Sequence, residues 1–417
     1  MHPVAPKTTH ASPPVPCPMS LFWKLSAAGF AATAITYGPA RMGFGLFLPV
    51  FREEFSLTTQ TAGLVSSLGF LGFFVGLLVS QTMTNRAGPR LPVGSGLLAA
   101  TVGLGIVAAA PNTAGLIVGV SLAMTSAGLS WTPFNNAIHR CVDDDARPVA
   151  LSCVSTGTSL GITAAGLAAL LLALGGVSWR VCWAGFAAAS AAALLVNWSA
   201  LSSVASPAGR PPRGGLRSLG EAAAIPLFVI GVCYGVTSSV YISFATDWVA
   251  ASGGLAGLSP NAAGGLVFLC YGAFGLIGLF TNRMKSVLGL AWLVRLLLLA
   301  SGASLALVAL LPASWAGVVA SAGIQGMTVM TTSAVLAFWS ERLFPSLPSQ
   351  AFTAVLLAVA AGSVLGPVGA GALAHAAGTG AMFLVTAALS VATAVATRSS
   401  RIRERPAAIL GADAAAI

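Results

Sequence analysis

Long apolar stretches alternate with short polar gaps along almost the whole chain. An α-helix needs roughly 20 apolar residues to cross a bilayer core. On that measure the pattern predicts twelve spans: 24–50, 60–83, 91–110, 113–138, 149–175, 179–202, 224–249, 261–281, 287–311, 314–339, 350–375 and 379–397. The gaps carry turn and charge signals, as in Arg86-Ala87-Gly88-Pro89-Arg90, Pro111-Asn112 and Arg342-Leu343-Phe344-Pro345, where proline and glycine break the helical pattern. The widest gap, 203–223, holds Pro207, Pro211, Pro212 and three arginines, and falls at mid-chain. It reads as a linker between two six-helix bundles, 24–202 and 224–397. A proline-rich, disordered tail (1–23, with Met19 as an alternative start) precedes them, and a basic tail (398–417) follows.

Composition agrees with an all-α membrane protein. Of 417 residues, 56% are hydrophobic and only 7% charged, against roughly 25% charged in a soluble domain. Lipid as the main solvent removes the need for a charged surface. The apolar run from Leu21 to about Val50 is too long for a signal-peptide core and reads as a retained first span.

The net charge of +10 raises nucleic acid as a partner, but the basic residues form no basic domain. With both termini cytoplasmic, sixteen Lys and Arg fall in inner segments, and only Arg52 and Arg180 in outer ones. That asymmetry follows the positive-inside rule and supports an even number of spans. The six cysteines show no C-x-x-C spacing, so no metal or redox site is expected. There is no H-E-x-x-H, no pair of membrane aspartates and no P-loop. Neither an enzyme nor an ATP-driven machine is expected, and no cofactor.

The halves repeat. Tyr37-Gly38 matches Tyr234-Gly235, and Thr84-Asn85-Arg86 matches Thr281-Asn282-Arg283, both at an offset of 197. Ala114-Gly115 matches Ala316-Gly317, and Arg140 matches Arg342, at 202; Gly157-x-x-x-Gly161 matches Gly362-x-x-x-Gly366 at 205. The stretch Gln81–Arg90, with Asn85, Arg86, Gly88 and Arg90, resembles the G-x-x-x-D-R-x-G-R loop of the major facilitator superfamily. Gly278-x-x-x-Asn282-Arg283 is its second copy. Asparagine replaces the family's aspartate in both. In the family this loop ties neighbouring helices at the cytoplasmic face when the outward state closes. The glycine motif of the fifth span resembles the family's glycine-proline motif, with Ile162 at the proline position; the eleventh keeps Gly366-Pro367. Small residues at this spacing let helix backbones approach closely. The resemblance covers about residues 24–400. It implies two pseudo-symmetric bundles, alternating access, and a central cavity lined by spans 1, 4, 7 and 10.

On those spans the polar residues are the candidate substrate contacts, since each is costly in lipid. Arg41 stands out, in the run Tyr37-Gly38-Pro39-Ala40-Arg41. Helix rise places it about 25 Å beyond Lys24, past the midplane. Its planar fork suits a carboxylate or phosphate. The alternative is a structural Arg41, bonded to carbonyls or reaching Asp247 or Glu53. Thr125, Tyr234, Tyr241 and Gln325 are further candidate contacts, with interhelical bonding as the alternative for each. Asn135 and Asn136, near the inner end of the fourth span after Pro133, are candidates to line a cytoplasmic gate, with capping of the helix end as the alternative. Asp247 and His375 are the candidates for proton coupling. The expectation is a monomeric inner-membrane carrier of a small organic anion. Proton-coupled efflux of amphipathic compounds is the alternative.

Overall fold

The computed structural model describes residues 19–143, 146–204, 224–345, 347–397 and 402. The linker arginines and most of both tails lie outside the described residues. Fifteen α-helices and no strand occur among those described.

Among the described residues eleven spans are long and apolar enough to cross a bilayer. The first span makes the twelfth, and it is broken rather than continuous. It runs as α1 (Met19–Tyr37), α2 (Pro39–Leu46) and α3 (Leu48–Phe55). Pro39 and Pro49 cause the breaks, because proline lacks the N–H that a helix needs from its fourth residue on. The Gly45 carbonyl, left without a helical donor by Pro49, instead accepts the hydroxyl of Thr246 on α9. A sequence break thus becomes a contact between the two halves.

The other N-terminal spans are α4 (Thr59–Ala87), α5 (Arg90–Ala109), α6 (Thr113–Cys141), α7 (Arg147–Leu174) and α8 (Trp179–Ala200). The C-terminal half begins with α9 (Ile225–Ala251). Its second span joins α10 (Pro260–Gly275) to α11 (Thr281–Leu288) through a 3-10 turn. This span therefore runs well past 281, and Asn282-Arg283 lie within helix rather than beyond it. Then come α12 (Leu290–Leu310), α13 (Trp315–Leu343), α14 (Pro348–Ala377) and α15 (Thr379–Ala396).

Large apolar side chains face outward, as Leu195, Leu365 and Val395 do. Many hydroxyls lie inside, where most bond a carbonyl of their own helix and some bond one of a neighbouring helix. Ser190 donates to the Leu97 carbonyl at 3.0 Å, and Ser390 to that of Leu298 at 2.8 Å. These two bonds occupy equivalent places in the halves, tying α8 to α5 and α15 to α12. Helix caps repeat too: Asn112 accepts from the Gly115 N–H and Ser314 from that of Gly317. Both satisfy an N-terminal donor, which explains the matched Ala-Gly pairs.

The predicted glycine motifs sit at close helix crossings. Gly161 abuts the Ala34 backbone and Gly157 that of Phe30, joining α7 to α1; Gly362 abuts Val232 and Gly366 abuts Val236, joining α14 to α9.

Candidate functional site

A cavity of about 410 Å³ lies between the halves. Its deep end is formed by Tyr37, Arg41 and Met42. Its mouth is formed by Pro148, Asn282, Glu341 and Phe352, which stand near the start of α7, the start of α11, the end of α13 and the start of α14. That face also holds Lys24, Arg86, Arg90, Arg140 and Arg283, so the cavity opens on the basic face.

The opposite face is closed. Arg52 Nε lies 2.8 Å from Asp247 Oδ1, linking α3 to α9, and Arg52 Nη2 donates to Thr59 Oγ1 at 2.5 Å. The Ser67 hydroxyl accepts the backbone N–H of Val368 at 3.0 Å. Gly63 packs on Pro367, and Gly166 on Leu269. The second arginine of this face, Arg180, pairs with Glu54 at 3.1 Å and donates to the Ala108 and Ala110 carbonyls.

Arg41 takes none of the structural partners expected as alternatives. Asp247 belongs to Arg52. The Arg41 guanidinium instead stands 4.5 Å from the Phe73 ring centre, 5.3 Å from Tyr37 and 5.6 Å from Phe70. Ring faces attract a cation without using its N–H donors. Its Nε is buried and has no hydrogen-bond partner. Among the described residues Arg41 is the cation lining the cavity, and Glu341, near the end of α13, is its acid.

The charge belongs to one half. The repeat offset that pairs Tyr37 with Tyr234 places Ser238 opposite Arg41, and its hydroxyl donates to the Tyr234 carbonyl at 2.6 Å. The walls are unequal as well. On the N-terminal side Asn135 of α6 and Ser152, Ser155 and Ser159 of α7 face the cavity. On the C-terminal side stand Leu276, Met330, Phe338, Val355 and Leu356.

Of the residues singled out in the sequence, Tyr37, Arg41 and Tyr234 share this cavity. Tyr234 also bonds Ser333 Oγ at 2.7 Å and the Val329 carbonyl. Thr125 does not line it; its hydroxyl donates to the Ser121 carbonyl at 2.8 Å, where α6 meets Gly72 of α4. Tyr241 is buried against Ser321, 3.1 Å away. Gln325 is fully buried, with neither amide atom hydrogen-bonded. His375 is exposed in the last turn of α14, away from the cavity.

In the loop resembling the family motif, Gly88 adopts a positive φ of 77° and caps α4 through its N–H to Thr84. Arg86 and Arg283 are exposed, Asn85 is half-buried, and Arg90 stacks 4.2 Å from the Trp198 ring centre. Among the described residues no ion pair closes this loop.

Gly157-Thr158-Ser159-Leu160-Gly161 has the G-x-S-x-G spacing of a hydrolase elbow. It lies in mid-helix within α7. The elbow needs a strand-to-helix turn, so the glycines serve the α1 contact instead.

The α7 serines are the main lining residues that a survey of spans 1, 4, 7 and 10 passes over. Ser152, Ser155 and Ser159 recur at helical spacing, with Thr156 and Thr158 between them, a polar stripe that periodicity can detect.

The family described as "Uncharacterised MFS-type transporter YbfB" matches the chain over residues 33–398. The chain belongs to this family. It is a multi-pass membrane transporter that moves a small-molecule solute by secondary transport, and not an enzyme. No curated protein sequence matches it.

Solved transporter structures share the fold. A bacterial homologue of the human lysosomal transporter Spinster, inward-facing and unoccupied, superposes with a TM-score of 0.71 at 17% identity, covering 94% of this chain and 100% of that one. The peptide transporter POT in complex with sulfate gives 0.74 at 16% identity, covering 94% and 98%. The nucleoside transporter NupG gives 0.68 at 14%, covering 92% and 99%.

Proposed function

We propose that this transporter carries a small organic anion, with Arg41 as the anion anchor. The observation that carries the reading is the Arg41 guanidinium at the blind end of the cavity, held by ring faces, with a buried Nε free of any protein acceptor. A half-buried cation at this depth is costly unless an anion meets it, and its fork geometry matches a carboxylate.

The basic face is cytoplasmic on this reading, by the excess of Lys and Arg there. The cavity then faces inward, both termini are cytoplasmic, and the membrane is a bacterial inner one. The carrier acts as a monomer, with the site between its halves. Asp247 is the candidate for coupling to protons, because it closes the opposite face with Arg52. His375 has no such position.

A ligand that binds only the folded state raises its melting temperature. Purified protein in detergent is therefore expected to be stabilised by small carboxylates, and the Arg41→Gln variant is not. Equal stabilisation of both proteins would remove Arg41 from the site. The apolar C-terminal wall favours a second reading, proton-coupled efflux of amphipathic compounds. Stabilisation by lipophilic cations alone, indifferent to Arg41, would select it.

A further inference from the structure

We infer that the substrate is a monovalent carboxylate carrying a ring-sized apolar body, and that di-anions and short carboxylates are poor ligands. This rests on the reading of Arg41 as the anion anchor and goes further, to the charge and shape of what it holds.

Charge comes first. Among the described residues one cation lines the cavity, and Ser238 occupies the equivalent place in the other half. A second negative charge has no partner there and meets Glu341 on its way in. Desolvating an unpaired charge is costly. The same argument disfavours phosphate monoesters, which carry about −1.5 to −2 at neutral pH.

Shape follows from the walls. The rings of Tyr37, Phe73 and Trp131 surround the deep end. Tyr37 lies 6.4 Å from each of the other two, edge to face. Beyond them Met330, Phe338 and Leu356 continue an apolar surface along one side. An acetate-sized ligand would leave that surface against water. A ring-sized body removes it from water, enough for roughly tenfold in affinity or more.

The opposite side is polar. The Ser155 hydroxyl donates to the Leu151 carbonyl at 2.8 Å, leaving its lone pairs to the cavity, and Asn135 and Ser152 line the same side. One edge of the ligand can therefore carry a hydrogen-bonding group while its face stays apolar.

The test is equilibrium binding to the purified full-length protein, by calorimetry at neutral pH, with four probes: benzoate, acetate, phthalate and benzamide. Benzoate is expected to bind at least tenfold tighter than acetate or phthalate, and benzamide not measurably. The Arg41→Gln variant, verified as folded by its elution profile, is expected to lose benzoate binding at least tenfold. Leu356→Thr is expected to weaken benzoate several-fold and leave acetate unchanged. Phthalate or acetate binding as tightly as benzoate, still dependent on Arg41, overturns this inference and spares the anchor. Benzamide binding as well as benzoate, or benzoate binding unchanged in Arg41→Gln, overturns the anchor itself. Binding of none of the four overturns both.

Discussion

Gln325 shows what a single residue can reveal in this interior. Its side chain is fully buried on α13, and neither amide atom has a partner. Leaving such groups unsatisfied costs about 1–3 kcal/mol. Gln325→Met is therefore expected to raise the melting temperature in detergent. A lowered one would show that the amide has a partner worth keeping. Arg41 is the opposite case, since its burial among rings leaves donors facing a cavity. Its type and depth were legible in the sequence, from a lone arginine beside Gly38-Pro39. Its cage was not, because Phe70 and Phe73 come from α4, and no local pattern indicates that they turn toward α2.

Glycines separate into two kinds at the scale of helices. At Gly161 an added methyl would run into the Ala34 backbone, whereas at Gly185 of α8 it would meet nothing within 4 Å. Gly161→Ala is expected to destabilise by about 1–3 kcal/mol, through overpacking of α7 on α1. Gly185→Ala is expected to be neutral or stabilising by about 0.5–1 kcal/mol, through helix propensity. Equal melting shifts for the two would contradict the assigned packing. The spacing of Gly157, Gly161, Gly362 and Gly366 announced close crossings in advance. The pairing of Arg52 with Asp247 was hidden, because 195 residues separate them and only the folded halves bring α3 to α9. That pair bridges the closed face, so Asp247→Asn is expected to shift the population toward opening there. Spin labels at Val177 and Ala313, on that face in opposite halves, should report a longer distance. An unchanged distribution would show that the pair does not hold the face shut.

For the whole molecule, the repeat is more complete in hydrogen bonds than in letters. Ser190 with Leu97 and Ser390 with Leu298 tie the same helix pairs in each half, although no identity search would single them out among so many serines and leucines. Twelve spans, two halves and the basic-face asymmetry could all be read from the chain, since hydropathy and charge placement are what lipid imposes directly. Which state the carrier occupies could not be read, because both states share those patterns. The structure has its cavity on the basic face, with α2, α3 and α4 closed against α9 and α14 on the other. The functional asymmetry is superimposed on this near-symmetric frame: among the described residues one lining cation, more hydroxyls on the N-terminal wall and more aliphatic side chains on the C-terminal wall.

Counterflow in proteoliposomes tests the Arg41 anchor most directly. Vesicles loaded with unlabelled benzoate are diluted into a trace of labelled benzoate, and its transient accumulation is followed. The wild-type protein is expected to accumulate label, Arg41→Gln to accumulate none, and Arg41→Lys to retain a fraction, since the charge survives without the fork. Accumulation by Arg41→Gln at the wild-type rate would contradict the account.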